Sequence, residues 1–320
     1  MSGLGAYRLF RVRVAAAERV TPGFVRVKFT GDELDEFGFV GIDQRVKLLL
    51  PDARGVLPEL HGGGDWYAAW CALSAAEQPP MRTYTPRLLR RANPATGEPA
   101  SLVIDFAWHP NPGPAAAWAA AARPGDLAAI VGPNGAYSAN TRAVGWLPPR
   151  DATRLLLVGD ESSLPAIAAI LEDLDAAASV RVLLELGDPR DVALLGDTDG
   201  VTVEVHERGG RHPGDALVDA VRALDDPAFA PAARARSGPT ASPELEDVDL
   251  DATVLWEVPG IDPETGMPAE DDARSARAYA WLAGEADAIK RIRRELVAER
   301  GMPREAVAFM GYWRFGRAER

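Results

Sequence analysis

Arg154 to Val158 is a continuous apolar run, Ser162 to Leu174 has the period of an amphipathic helix, and Val180 to Leu186 is apolar again. Strand, helix and strand within about 30 residues form a βαβ unit, which makes the two strands parallel in a sheet covered by helices. Val201 to His206, Pro213 to Leu224, Val254 to Glu257 and Tyr279 to Ala283 continue the alternation. Ala286 to Arg300 reads as a helix with a charged face, and Ala306 to Tyr312 as a last strand. Residues 225–250, with four prolines among acidic residues, read as a mobile loop, and 258–275 are similar.

The first half has a different period. Tyr7 to Ala15 and Phe24 to Phe29 alternate polar and apolar residues, and Gln44 to Leu50, Thr83 to Arg87, Ser101 to Trp108 and Leu127 to Val131 are further strands. Six short strands with turns between them predict a small antiparallel barrel. Residues 52–80 are a surface excursion rich in glycine and proline, with a short helical piece near Trp66 to Leu73. The change of character falls at Trp146 to Asp151, where Pro148-Pro149 marks a linker. This divides the chain into a β domain over 1–147 and an α/β domain over 151–320, in keeping with 320 residues.

Composition removes several functions. Lys+Arg 35 against Asp+Glu 47 leaves a net charge of −12, which opposes a surface that coats nucleic acid. The single Cys71 rules out a disulfide framework and any cysteine-based zinc or iron–sulfur site. Ala115 to Ala122, the longest apolar candidate, is too short for a membrane span, and Met1 to Phe10 carries no signal pattern; the expectation is a cytoplasmic protein with no membrane partner. His61, His109, His206 and His212 are scattered without ligand spacing, so no metal site is expected. Lys290, Arg291, Arg293 and Arg294 read as the solvated side of a helix.

Three segments carry chemistry. Arg82-Thr83-Tyr84-Thr85-Pro86-Arg87 places an aromatic ring, hydroxyls and two guanidinium groups in six residues. That set suits a planar heterocycle bearing a diphosphate, and it also suits an ordinary strand with surface arginines. His109 to Trp118 ends a strand, turns through Gly113 and begins a helix near Pro114. A helix start of this kind, with small Ala115 and Ala116, is a natural diphosphate seat; the other reading is a helix packed through Trp118. The third segment, Gly159-Asp160-Glu161-Ser162-Ser163-Leu164-Pro165, follows the buried strand where α/β sheets bind ligands. It is neither a G-x-G-x-x-G loop nor a G-x-S-x-G elbow, and Ser162 and Ser163 read as helix caps.

Together these segments resemble the siderophore-interacting protein family, relatives of the ferredoxin–NADP reductases. The likeness also takes in Pro124-Gly125-Asp126, Gly132-Pro133, Ala283-Gly284-Glu285 and Gly311-Tyr312-Trp313-Arg314, in order along most of the chain. The resemblance implies an N-terminal antiparallel FAD-binding β-barrel followed by a Rossmann-like parallel α/β NAD(P)-binding domain. It implies reduction of a ferric siderophore, with release of ferrous iron in the cytoplasm, by an oxidoreductase that carries FAD and takes electrons from NADH, NADPH or a ferredoxin. By analogy Arg82, Thr83, Tyr84 and Thr85 hold the flavin, while His109, Gly113, Pro114, Ala115 and Trp118 lie along its diphosphate or adenine part. Asp160, Glu161 and Ser162 face the reductant side, and Trp313 lies near the flavin. Pro110 stands where the family often has glycine, Ala116 where it often has serine, and Ser162 where threonine is usual.

Ferric siderophores are often anionic, so a basic rim would attract them, and Arg45, Lys47 and Arg142 are the candidates; Arg45 and Lys47 would equally cover a plain strand surface. Arg190 could meet the 2′-phosphate of NADPH, but Asp188 and Asp191 beside it favour NADH. Two other functions remain open on this scaffold: a non-enzymatic siderophore carrier, and a flavin reductase with another electron acceptor.

Overall fold

The structure, a computed structural model, describes residues 5–52, 54–58, 60, 66–74, 77–110, 112–137, 143–174, 178–229, 256–261 and 274–317. It divides into two compact units, Met1–Val144 and Gly145–Arg317. The candidate Arg142 lies outside the described residues, as do most of the expected loops over 225–250 and 258–275.

The first unit is a sheet of seven strands in the order β4-β3-β7-β1-β2-β6-β5. They are β1 (Tyr7–Thr21), β2 (Phe24–Thr30), β3 (Val46–Leu49), β4 (Met81–Tyr84), β5 (Pro86–Arg90), β6 (Ser101–Ala107) and β7 (Leu127–Pro133), and all neighbours pair antiparallel. The single strand expected over Thr83 to Arg87 is two strands that meet at Thr85. β4 pairs with β3 at one border of the sheet and β5 with β6 at the other, so one short chain run joins both borders. Pro86, which has no N–H to donate, starts β5, and the pairing slips between Pro86 and Leu88. β1 runs on to Thr21 through Ala15, Ala16 and Ala17, poor strand formers that are held by pairing with β2.

Phe10, Val12, Phe29, Ile104 and Phe106 fill the barrel interior. A second cluster lies around Leu49, Ala129 and Val131, where Trp66 and Trp70 of the short helix α1 (Trp66–Cys71) pack. Arg87 is not a surface arginine: its side chain is nearly covered and lies 3.7 Å from buried Asp105, which also accepts two bonds from Arg26, at 2.7 and 2.8 Å. The helix α2 (Pro114–Ala121) stands against β2 and β6.

The second unit is a six-stranded sheet in the order β10-β9-β8-β12-β13-β11. β8 (Arg154–Asp160), β9 (Ser179–Leu186), β10 (Val201–Glu207), β12 (Ala278–Glu285) and β13 (Val307–Trp313) are parallel. β11 (Trp256–Glu257) is an antiparallel border, and the first half of the strand expected from Val254 lies outside the described residues. The order steps outward from β8 to β10, then reverses to β12 and β13, which is the doubly wound arrangement with its switch point between β8 and β12.

Helix α3 (Leu164–Glu172) begins with Pro165 in its first turn. Helices α4 (Asp215–Ala223) and α5 (Ala286–Arg294) pack through Val218, Val221, Ile289 and Ile292 on Leu156, Val158 and Leu282. The long helix expected to Arg300 changes to a wider turn over Glu295–Glu299. Its charged side is not wholly solvated, because Arg293 lies over the Phe309 ring at 4.3 Å and bonds Glu257 at 3.1 Å. Among the described residues, no helix is long and apolar enough to cross a membrane.

Candidate functional site

The barrel corner gathers the first set of candidates. Tyr84 is half-buried, with its ring centroid 4.4 Å from that of Phe106. Phe106 in turn lies 6.3 Å from Trp118, which stacks parallel to Phe29 at 6.1 Å. This aromatic chain links β4 to α2 within one unit. Trp118, partly buried, packs against the core from α2, while Gly113 and Pro114 ahead of it are exposed. Gly113 is the residue before α2, no side chain among the described residues caps that end, and its first turn holds no acidic residue. A Cβ added at Gly113 would meet nothing within 4 Å. Ala115 is buried, and Gly113 and Pro114 are exposed. Arg82 bonds the carbonyl of Met81 at 2.8 Å, Lys47 Nζ donates to Thr83 Oγ1 at 2.7 Å, and Thr85 is buried at the corner. His109 is exposed just beyond β6.

An open, uncapped helix start with an aromatic ring and arginine on the same unit fits a ring system joined to a diphosphate. Of the substrate candidates, Lys47 is exposed on β3. Arg45 lies close enough to Tyr7 for its charge to oppose the upward shift that burial gives the Tyr7 hydroxyl.

In the α/β unit the candidates converge on the switch point. Asp160 ends β8 and is 2% exposed. Its Oδ1 accepts from Ser162 N at 2.9 Å and Ser162 Oγ at 2.5 Å; its Oδ2 accepts from Glu285 N at 2.9 Å and Trp313 Nε1 at 2.8 Å. Burial, and then the negative charge of Glu161, push this carboxyl up to about 6 against the pull of its bonds to Ser162 and Trp313. The two serines do not cap α3 as expected. Ser163 already has helical backbone angles, and its hydroxyl donates back to the Asp160 carbonyl at 2.9 Å.

The neighbouring strand ends carry more carboxylates. Glu161 accepts from Gly187 N at 2.7 Å and Arg208 Nη2 at 2.6 Å. Glu185, 0% exposed, accepts from Gly214 N and Ala216 N at the start of α4 and from Arg208 Nε at 2.9 Å. Glu285, 1% exposed, accepts from Ala288 N at the start of α5 and from Phe315 N. Burial works against the Arg208 charge, yet Glu161 and Glu185 hold its pKa raised. Arg190 wraps Asp188 at 2.6 and 3.0 Å, and its hydrogen bonds hold that carboxyl down at about 2.

Sequence reasoning singled out Asp160, Glu161, Ser162 and Trp313, and the structure brings all four together. It did not find Glu185 or Arg208. The available signal was a glutamate inside the apolar run Val180 to Leu186, since a charge on a buried strand requires partners.

Two family models match the chain. The siderophore-interacting FAD-binding domain covers residues 13–137, and the siderophore-interacting protein model covers 152–316. An uncharacterised protein of Mycobacterium tuberculosis is 32% identical over 322 residues, with 97% of this chain and 92% of that protein covered. The NADPH-dependent ferric-chelate reductase of Escherichia coli is 32% identical over 202 residues, covering 62% of this chain and 70% of that protein. The crystal structure of a siderophore utilization protein from T. fusca superposes with a TM-score of 0.65 at 27% identity, covering 99% of this chain and 96% of that one.

Proposed function

The chain belongs to the siderophore-interacting protein family, and from that membership we propose that it reduces ferric siderophores, using FAD held by its barrel unit and a reduced nicotinamide nucleotide as electron donor. The observation that carries this reading is the α2 start, without a side-chain cap or an acidic residue among the described residues, on the same unit as Arg82 and Tyr84. The E. coli relative, which is named as an NADPH-dependent ferric-chelate reductase, supports the chemistry.

In this reading Tyr84 supplies a flat surface for the flavin ring, braced from behind by Phe106. Arg82 and the backbone amides that open α2 hold the negative diphosphate. Thr83 and Thr85 offer hydroxyls to the ring edge. FAD, when bound, converts a two-electron supply into single-electron steps. The substrate needs one electron: ferric iron is gripped by hard oxygen ligands, and the ferrous ion, with less charge, is held less tightly. Lys47 and Arg45 give the barrel surface positive charge toward an anionic chelate.

A second reading, a siderophore carrier without turnover, draws support from the missing glycine-rich fingerprint after β8 and from Ala116 where the family often has serine. One assay separates the two. The purified protein, loaded with FAD, is mixed with a ferric siderophore and a ferrous-specific chelator in the presence of NADH, NADPH or reduced ferredoxin. Colour with any donor supports the reductase and excludes the carrier. A colourless protein that ignores added FAD ends the reductase reading. Arg82→Ala is expected to lose FAD.

A further inference from the structure

The switch point of a doubly wound sheet is where a dinucleotide's diphosphate meets the backbone amides of the first strand-to-helix turn. In this chain a protein carboxylate already stands there. Asp160 takes the Ser162 amide of that turn and the Glu285 amide at the end of β12, the adjacent strand across the switch point. It also takes the Ser162 hydroxyl and the Trp313 indole N–H, so donors from three segments close on one carboxylate. Glycine at such a place ordinarily admits a ligand's approach. Here a Cβ on Gly284 would lie 2.7 Å from Asp160 Oδ2, so the space left by that glycine is filled by Asp160.

Two arginines that follow the neighbouring strands β9 and β10 have carboxylate partners of their own. Arg208 bonds Glu161 and Glu185, and Arg190 bonds Asp188. These residues do not fit a dinucleotide diphosphate in its usual seat, nor a dedicated grip on a 2′-phosphate.

We propose that Asp160 is a specificity-determining residue of the donor side: its carboxylate occupies the anion seat, so NADH and NADPH both bind weakly, with little preference between them. This rests on the reductase reading and narrows it. Replacing the carboxylate with a short neutral side chain exposes the amides of Ser162 and Glu285 to a phosphate and removes a like charge. A purely structural Asp160 would, on replacement, change stability and leave nucleotide affinity where it was.

The test uses the full chain loaded with FAD, as wild type, Asp160→Ser and the near-isosteric Asp160→Asn. Calorimetric titration with NAD⁺ and NADP⁺ reads affinity without turnover, and steady-state reduction of a ferric chelate gives KM and kcat for NADH and NADPH. For Asp160→Ser the expected result is about tenfold tighter binding of both nucleotides, the order of one removed charge, with the gain in KM rather than kcat. Asp160→Asn is expected to move in the same direction by less. Unchanged or weaker binding in a variant that retains FAD and a cooperative melt overturns the proposal, as does wild-type binding that is tight or strongly prefers one nucleotide. Should Asp160→Ser not fold, Asp160→Asn alone decides by the same criterion. If no protein turns over any donor but the affinities shift as stated, the reductase reading fails and the role of Asp160 stands. Turnover with unmoved affinities does the reverse.

Discussion

Trp313 donates its indole N–H to Asp160 Oδ2 at 2.8 Å, tying the end of β13 to the end of β8 across the intervening strand β12. The bond joins residues 153 positions apart and gives a buried carboxylate one of its four donors. The same carboxylate dictates how this unit responds to pH.

Asp160 titrates at about 6 in the folded chain and near 4 when unfolded. The native state therefore holds an extra proton between those values, and ionisation of this group weakens the fold as the pH rises through them. Asp160→Asn removes that dependence. The stability of the variant relative to wild type is expected to be more favourable at pH 7 than at pH 5, by about 1 kcal/mol. Asp151, Asp188 and Asp215 are shifted the other way, so their contributions decline as the pH falls below about 4, outside this window. Melting both proteins at the two pH values checks this; a difference that does not vary with pH would refute it.

Gly284→Ala forces a Cβ to 2.7 Å from Asp160 Oδ2, on a residue whose φ is +153°. Backbone strain and the steric clash together are expected to cost about 3 kcal/mol. Urea unfolding measures the loss. Combining the change with Asp160→Ser should recover part of it, because the clashing atom has gone. Strict additivity of the two variants would show that the contact does not matter.

Glu185→Gln leaves one acceptor oxygen where the carboxylate serves Gly214 N, Ala216 N and Arg208 Nε. Removing a buried partner of Arg208 is expected to cost roughly 3 kcal/mol and to expose the start of α4. Amide exchange at Gly214 and Ala216 should rise more than exchange in β8. Equal protection in variant and wild type would contradict the capping role.

Tyr84→Ala is expected to loosen FAD by more than tenfold, and Tyr84→Phe by less than threefold, because stacking needs the ring and not the hydroxyl. Flavin fluorescence titration separates them. Trp118→Phe keeps an aromatic ring beside Phe29 and should leave FAD affinity near wild type. If Trp118→Phe weakens FAD as much as Tyr84→Ala while the fold is intact, then Trp118 serves the cofactor directly.

The strands and helices were legible because their periods are local. The run Leu155 to Val158 is apolar on both faces and, followed by a helix and a second apolar run, reads as an interior strand of a covered sheet. The break at Thr85 was not legible. Thr83 to Arg87 has strand-forming residues throughout, and the corner exists because the run must serve β3 on one side and β6 on the other. Residues 15–21 escaped for the same reason, since their pairing with β2 overrides weak propensity. Asp160 and Glu161 stood out as a departure from a phosphate loop, but nothing local to them pointed to Glu185 or Arg208, and Trp313 was singled out for the flavin and not for its bond to Asp160. Those partners arrive from chain segments 24 to 153 residues away.

The bend at Thr85 bears on how the barrel survives without its ligand. Residues that would grip the flavin are the stitches that fasten the two margins of the sheet. Filling that grip would tighten the whole wall, and emptying it would slacken both margins together. Cofactor loading and resistance to unravelling would then be one property of the first unit, measurable as a melting point that climbs with FAD concentration.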